Sequence, residues 1–354
     1  MSEWKTVRLG DVCILEKGQQ IDTSLLDDSK TYRYINGGIK ESGYFDKFNT
    51  SGESVLISEG GASCGYINYV NEDIWCGCHC YRLHDIKVFP KYLFHALKAN
   101  QQRIMALRTG SAMPNIQKST IQKFQLKIHD DLTTQKNIST MLDKCNELIE
   151  KYKKMLEKYD TLIKSRFIEM FGEPHNNTKY PYKTVGDFTT VTSGGTPDRK
   201  NIEYWKNGNI PWVKTTELQN NELTEIEEFI TQKGLDESSA KMMPIGTLLI
   251  AMYGQGKTRG MTAYLGIQAS TNQACACILP SEAINQKYLW YYFILSYDKL
   301  RDLAKGGNQP NLNGNMIKNF PVLMPPIEMQ NVYVSFVQQI DKSKFENTYI
   351  GVAA

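Results

Sequence analysis

Residues 132–171 read LTTQKNISTMLDKCNELIEKYKKMLEKYDTLIKSRFIEMF, a run of forty residues without proline or glycine. Apolar side chains recur in steps of three and four from Ile138 to Met170, which places them in one stripe at positions a, d and e of a heptad. Gly172 and Pro174 follow at once and are typical of a helix end. The stretch predicts one continuous helix over 132–171, about 60 Å long at ~1.5 Å per residue.

A helix of this length cannot bury its own apolar stripe, so it needs a partner helix. A second, shorter helix is expected over 327–354. Its apolar residues correspond to those of the first as Tyr333 to Ile138, Phe336 to Met141, Val337 to Leu142 and Ile340 to Cys145. We therefore expect it to cover about half of the first helix and to leave 155–170 without a partner in this chain. Either the folded domains or helices of another subunit would cover that part, and we favour the second alternative.

The part of the chain before the helix is repeated after it. The ordered matches, at offsets between 176 and 196, are Lys5-Thr6-Val7 with Lys183-Thr184-Val185, Gly10-Asp11 with Gly186-Asp187, Gly18 with Gly194, Lys91-Tyr92-Leu93 with Lys287-Tyr288-Leu289, Pro114-Asn115-Ile116-Gln117 with Pro310-Asn311-Leu312-Asn313, and Gln135 with Gln330. A period of this length indicates duplication of a whole domain rather than a solenoid unit. We expect domains at 1–131 and 172–326, each followed by its helix, at 132–171 and 327–354.

Each copy has the pattern of an α+β module. Short buried strands are expected at 55–58 and 247–251, before glycine-rich turns, and helices at 92–107 and 287–303. A Pro-Asn loop then leads into the long helix. The predicted fold class is α+β, with two repeated domains joined by long helices that form a coiled-coil spacer.

Composition narrows the functional classes. The 354 residues are 41% hydrophobic and 22% charged, with a net charge of +3, so DNA binding by bulk electrostatics alone is not expected. No apolar run reaches the roughly 18 residues of a membrane span, and residues 1–10 lack the apolar core of a secretion signal. Eight irregularly spaced cysteines favour reduced thiols. We expect a cytoplasmic protein with no membrane partner.

Three motifs suggest catalysis or cofactor binding, and each is incomplete. Gly254-Gln255-Gly256-Lys257-Thr258 resembles the end of a phosphate-binding loop, but Ala251 stands where that loop needs its first glycine. Cys76-Gly77-Cys78-His79-Cys80 suggests zinc, but the second copy does not repeat the ligand set, so buried thiols on strands are favoured. Met324-Pro325-Pro326-Ile327 lacks the flanking residues of an adenine methyltransferase tetrad. We predict no catalytic residue, no metal site and no bound cofactor in this chain.

The ordered motifs resemble those of type I restriction–modification specificity subunits over essentially the whole chain. The motifs that carry the resemblance are Thr6-Val7-Arg8-Leu9-Gly10-Asp11, Tyr34-Ile35-Asn36-Gly37-Gly38-Ile39, Ser42-Gly43-Tyr44, Lys164-Ser165-Arg166-Phe167, Met170-Phe171-Gly172, Thr192-Ser193-Gly194-Gly195-Thr196-Pro197 and the two Pro-Asn loops. The short second helix departs from the family, whose members usually carry a second helical region comparable to the first.

The resemblance implies a non-catalytic subunit with two target-recognition domains, each reading one half of a split site in double-stranded DNA. The spacer helices would set the gap between the half-sites and dock methyltransferase (modification) subunits, which would bind S-adenosylmethionine and methylate adenine. Motor-nuclease (restriction) subunits, which use ATP, would join for cleavage. We expect the modification subunit to bind Met155, Tyr159 and Ile163. The alternative is a DNA-binding scaffold or orphan regulator without methyltransferase partners.

DNA-reading residues do not transfer from the family, because these domains vary in their contacts. The candidates are polar and basic residues in the matched loops, since arginine and asparagine suit guanine and adenine edges and lysine and threonine suit phosphates. They are Arg33, Asn36 and Lys40 in the first copy, and Arg199, Lys200, Lys214, Thr215, Lys257 and Arg259 in the second.

Overall fold

The computed structural model describes residues 4–110, 114–254, 256–304 and 311–353, with the backbone alone for 345–353. The chain forms two compact units, Met1–Lys151 (unit 1) and Tyr152–Ala354 (unit 2). The division falls inside the long helix, so each unit contains part of that helix. The domain limits given above stay a prediction.

Within residues 4–110 and 114–151, unit 1 contains nine strands and four short helices, followed by the long helix. The strands are β1 (Trp4–Arg8), β2 (Ile14–Lys17), β3 (Tyr32–Ile35), β4 (Tyr44–Phe45), β5 (Ser54–Ser58), β6 (Ile67–Val70), β7 (Trp75–Cys76), β8 (Cys80–His84) and β9 (Gln125–His129). The helices are α1 (Leu9–Val12), α2 (Pro90–Ala99), α3 (Gln101–Met105), α4 (Lys118–Gln122) and α5 (Leu132–Phe171).

Unit 2 follows a similar order after the end of α5, with additional elements at Asn221–Leu223 and Gln232–Asp236. Its strands are β10 (Tyr182–Thr184), β11 (Val191–Ser193), β12 (Ile210–Val213), β13 (Asn221–Leu223), β14 (Phe229–Ile230), β15 (Leu248–Ala251), β16 (Thr262–Leu265), β17 (Ser270–Thr271), β18 (Cys275–Ile278) and β19 (Pro321–Leu323). Its helices are α6 (Val185–Phe188), α7 (Gln232–Asp236), α8 (Gln286–Leu295), α9 (Tyr297–Asp302), α10 (Gly314–Lys318) and α11 (Ile327–Ala353).

The same strand pairings recur in both units. A terminal antiparallel pair, β1 with β9 or β10 with β19, stands beside a larger sheet of order β2-β8-β5-β6 or β11-β18-β15-β16-β13. A three-stranded sheet combines a parallel and an antiparallel neighbour, as β4-β3-β7 and β14-β12-β17. The predicted α+β fold with a duplicated module is confirmed. The two predicted helices each divide in the structure, into α2 and α3 and into α8 and α9, at Asn100 and Ser296.

The start of each spacer helix is fixed by one buried glutamine. Gln135 accepts a hydrogen bond from the Phe89 backbone amide at 2.8 Å and donates to the His129 carbonyl at 2.7 Å. Gln330 makes the same two bonds, at 2.9 and 2.8 Å, at the start of α8 and just before α11. Both side chains are 1% exposed. This pair explains why the sequence match extends from the domains into the helices.

Gln135→Ala should lower the free energy of unfolding by about 1–3 kcal/mol, because a buried backbone donor and a buried acceptor lose their partner. Urea denaturation of the full chain, with hydrogen exchange of the α2 amides as the probe, measures this loss. Gln102→Ala is the matched control, since Gln102 lies exposed on α3 and should change stability by less than about 0.5 kcal/mol. Equal effects of the two substitutions would show that the buried amide does not anchor the helix.

The last turns of α5 are buried in the core of unit 2, contrary to the expectation that 155–170 lacks a partner in this chain. Phe167 is fully buried, and its ring lies 5.4 Å from that of Tyr333 on α11. The Tyr333 hydroxyl donates to the Ile163 carbonyl at 3.4 Å, and Lys344 pairs with Asp160 at 2.8 Å. These contacts run antiparallel. The repeat alignment compares the two helices in the same direction, so it could not indicate antiparallel contacts between them.

An exposed apolar face of α5 lies earlier in the helix, within unit 1, and Leu156 and Leu162 are exposed apolar side chains of its unit 2 part. Met141 is 68% exposed, and Leu142, Leu148 and Ile149 also remain largely in solvent. Ile138, by contrast, packs partly against the unit 1 core. Across the described residues, none of the helices combines the length and apolar character that crossing a membrane requires.

Candidate nucleic-acid interface

In unit 1, a cleft of about 530 Å³ (the unit 1 cleft) opens where the loops at the ends of several strands meet. Lys17 ends β2, Asn36 follows β3 and Glu59 follows β5. His79 comes from the link between β7 and β8, and Asn115 from the Pro-Asn loop. Sheet geometry thus gathers polar side chains that lie far apart in the sequence into one concave surface, a shape typical of ligand-binding sites.

Glycine is needed where β2 passes close to the β7 end. A Cβ added to Gly18 would lie 2.3 Å from the Gly77 carbonyl oxygen. Gly194 is confined in the same way in unit 2, where an added Cβ would lie 2.0 Å from the Thr271 carbonyl oxygen. The close approach explains the match between these two glycines in the sequence.

Glu59 is the centre of a charged cluster in the unit 1 cleft. Its carboxylate accepts from the Lys17 ammonium at 2.7 Å and from the Tyr81 hydroxyl at 3.1 Å. The Nδ1 atom of His79 lies 4.0 Å away, and the His79 backbone amide donates to the Asn36 side-chain oxygen at 3.1 Å. Burial and the adjacent Glu59 charge raise the pKa of Tyr81 to about 12, so its hydroxyl stays a donor at neutral pH.

Strand register identifies the corresponding positions of unit 2. Ser58 pairs with Cys80 and Ala251 pairs with Cys275, so the residues that follow these strands, Glu59 and Met252, are equivalent. The equivalences, in the order unit 1 to unit 2, are Lys17 to Ser193, Asn36 to Lys214, Glu59 to Met252, His79 to Ala274 and Tyr81 to Ala276. The two units share the scaffold of the cleft but place different chemistry on it.

The three predicted DNA-reading residues of the first copy are not all brought together. Asn36 lines the unit 1 cleft. Arg33 lies on β3 and forms ion pairs with Glu72 and, at 3.9 Å, with Glu41. Lys40 is exposed, and no ion pair is found for it among the described residues. Asn36 is therefore the candidate that the cleft supports.

Arg199 of the second copy is held by unit 2 itself. Its guanidinium lies 3.7 Å from the ring centre of Trp205 and 4.6 Å from that of Trp212, and it pairs with the Glu228 carboxylate. Lys200, beside it, is exposed. A base contact by Arg199 would require it to leave this cation–π and ion-pair arrangement.

Lys214 directly follows β12, at the position equivalent to Asn36. It forms ion pairs with Glu227 at 3.1 Å and Glu228 at 3.8 Å, and the hydrogen bond to Glu227 raises its pKa. Thr215 is half-buried in the turn that follows. This surface of unit 2 therefore carries compensated rather than excess positive charge.

The glycine-rich turn after β15 is followed by a strand, β16, and not by the helix of a phosphate-binding loop. Lys257 is exposed on it, and its carbonyl accepts from the Tyr297 hydroxyl at 2.7 Å. Arg259 is half-buried, and its carbonyl accepts from Arg301 at 2.8 Å. Gln255 of this turn and Pro310 of the second Pro-Asn loop lie outside the described residues.

Sequence reasoning missed Lys17, Glu59 and His79. His79 lies inside the cysteine-rich run, which directed attention to metal ligation. Cys76 and Cys80 are in fact buried, as are Cys275 and Cys277 in unit 2, as expected for thiols on strands. The described residues contain no group of three or more histidine, cysteine or acidic side chains suited to a metal ion. Glu59 stands between the predicted strand at 55–58 and the glycine pair of the predicted turn, and this position was the signal that could have identified it.

Known proteins share both this sequence pattern and this fold. One relative, a type I specificity subunit of Mycoplasma pneumoniae, is 32% identical over 159 residues, 42% of this chain and 42% of that protein. The EcoR124I/EcoR124II specificity subunit of Escherichia coli is 29% identical over 164 residues, 45% of this chain and 40% of that protein. These alignments span about two fifths of either relative.

The fold also matches a solved structure. The crystal structure of a type I restriction–modification S subunit from M. genitalium aligns over 99% of this chain and 93% of that chain, with a TM-score of 0.69 and 19% identity. The family model for the type I restriction modification DNA specificity domain matches residues 1–158 and 177–350. Because the two ranges matched by the family model include most of both units, the chain belongs to the type I restriction modification DNA specificity domain family.

Proposed function

We propose that this chain is the DNA-sequence-reading, non-catalytic subunit of a type I restriction–modification complex. Each unit reads one half of a bipartite site in double-stranded DNA. Modification subunits that bind S-adenosylmethionine methylate adenine at that site, and ATP-dependent motor-nuclease subunits join for cleavage. The chain itself holds no cofactor. We infer that the complex acts in the cytoplasm, where it would meet such DNA.

One observation carries the proposal: two units with the same strand pairings present different side chains at equivalent cleft positions. The Lys17, Glu59 and His79 positions of unit 1 are Ser193, Met252 and Ala274 in unit 2. A duplicated scaffold with divergent reading surfaces suits recognition of two unlike half-sites. The small net charge of +3 also favours readout of base edges over binding that rests mainly on phosphates.

The exposed apolar face of α5 in unit 1 supports docking of a modification subunit there. Met141, Leu148 and Ile149 are 68%, 48% and 51% exposed. Of the three residues predicted from the sequence, Ile163 is 7% exposed, Tyr159 packs against the unit 2 core and Met155 is half-buried. We therefore place the subunit-binding face at 141–149 rather than at 155–163.

Methylome sequencing of a host with and without this gene tests the function. We expect deletion to remove N6-methyladenine from one bipartite motif and to leave all other motifs unchanged, because no other subunit reads that site. Restoring the gene in trans should restore methylation of the same motif. An identical methylome in both strains would reject the proposal and favour a DNA-binding scaffold without methyltransferase partners.

A further inference from the structure

Glu59 is a largely enclosed carboxylate with an unused acceptor position. Its side chain is 17% exposed, against 51% for Lys17. Oε1 accepts from both Lys17 and Tyr81, whereas Oε2 lies within hydrogen-bonding distance of Lys17 alone among the described residues. A carboxylate offers about four acceptor positions. At least one position on Oε2 is thus left for a further donor in the unit 1 cleft.

The fold does not require this carboxylate. The Glu59 backbone amide donates to His79 and its carbonyl accepts from Ile116, both at 2.8 Å. Met252, the unit 2 equivalent, makes the same two backbone bonds, at 2.8 and 3.0 Å. Its side chain is apolar and 5% exposed. Because the scaffold accepts a thioether at this position, the charge of Glu59 serves something other than chain folding.

The partners of Glu59 are also specific to unit 1. Lys17 and Tyr81 both bond its carboxylate, and their unit 2 equivalents, Ser193 and Ala276, carry neither an ammonium nor a phenol. The three residues are therefore a set that occurs as a whole in one unit and is absent as a whole from the other. Such a set orients the carboxylate through a charge-assisted hydrogen bond from the ammonium and a second bond from the phenol.

A negative group of this kind repels phosphates and selects donors. In the DNA major groove the donors are the exocyclic amino groups, N4 of cytosine and N6 of adenine, and acidic side chains read the first of these. Resting on the proposed function, we propose that Glu59 is a base-reading residue of unit 1, accepting a hydrogen bond from an exocyclic amino group in the half-site of that unit. Lys17 and Tyr81 are the positioning residues.

Duplex analogues test the contact atom by atom. The full chain in complex with its modification subunits is titrated with a series of duplexes. Each duplex carries one replacement, either of a single cytosine by pyrimidin-2-one or of a single adenine by purine, and so lacks one amino group. One such removal in one half-site should weaken binding about tenfold for the unchanged protein. The same removal should have no effect on Glu59→Met. Whether the replaced base at that position is a cytosine or an adenine shows which base Glu59 reads.

Variants supply the second measurement. Methylomes of hosts that carry Glu59→Gln or Glu59→Met should show relaxed specificity at one base of one half-site, with the other half-site and the spacing unchanged. Glu53→Gln is the matched control, because Glu53 is an exposed carboxylate at the opposite end of β5, and it should leave the motif intact.

The possible outcomes separate this inference from the function on which it rests. If the unchanged protein recognises a bipartite motif and every amino-group removal affects Glu59→Met as much as the unchanged protein, Glu59 is not a base-reading residue. If the unchanged protein shows no sequence preference at all, the proposed function is overturned and this inference with it. Hydrogen exchange in β5 and β8 verifies that each variant is folded.

Discussion

Phe167→Ala should lower the free energy of unfolding of unit 2 by about 3–5 kcal/mol, the range typical of a buried aromatic side chain truncated to alanine. Phe167 is fully buried, with its ring 5.9 Å from that of Tyr288 and 5.4 Å from that of Tyr333. It thus joins the last turns of α5 to both α8 and α11. The cavity left by the ring would remove packing from its four aromatic neighbours, Phe171, Tyr288, Tyr292 and Tyr333.

Hydrogen exchange resolved by segment measures this effect, because a chain of two units need not unfold in one step. Amides of α8 and α11 should lose protection, while those of α2 should keep it. Leu162→Ala is the matched control on the same helix, since Leu162 is 46% exposed, and Phe167→Leu should cost less than Phe167→Ala. Equal protection of α8 in the alanine variant and the unchanged protein would contradict the packing described for α5.

Replacement of both Met141 and Leu148 with glutamate should abolish co-purification of the modification subunit. Both side chains lie on the exposed apolar face of α5, at 68% and 48% exposure, so the charges would face the partner rather than the core of unit 1. Carboxylates buried against an apolar partner without a counter-ion are strongly unfavourable. We expect loss of the complex with helical content unchanged by circular dichroism.

Thr140→Glu combined with Asn146→Glu is the matched control, because it adds the same charge at exposed positions of α5 that carry polar side chains. This variant should still co-purify with the modification subunit. If the first pair of substitutions also leaves co-purification intact, the docking face lies elsewhere. If the unchanged chain itself never co-purifies with a methyltransferase, the orphan scaffold becomes the better interpretation.

The candidate site shows where sequence reasoning stops. Asn36 was found because it lies in a matched motif, and it does line the unit 1 cleft. Arg33 and Arg199 were chosen by residue type, but each forms ion pairs with acidic residues, Glu72 and Glu228. Residue type predicts what a side chain is able to contact, but it does not reveal which internal partner already holds that side chain.

The sequence by itself determined the helix over 132–171, because turn-to-turn spacing is a property of neighbouring residues. It also determined the duplication on either side of that helix, because ordered matches between the two halves are visible in the sequence alone. Only the tertiary structure decided which part of that helix is covered, because burial of Phe167 depends on antiparallel contact with Tyr333, far along the chain. It also decided the unit 1 cleft, where Lys17 meets Glu59 across 42 residues. Such contacts arise from strand register, which sets distances that no local pattern encodes.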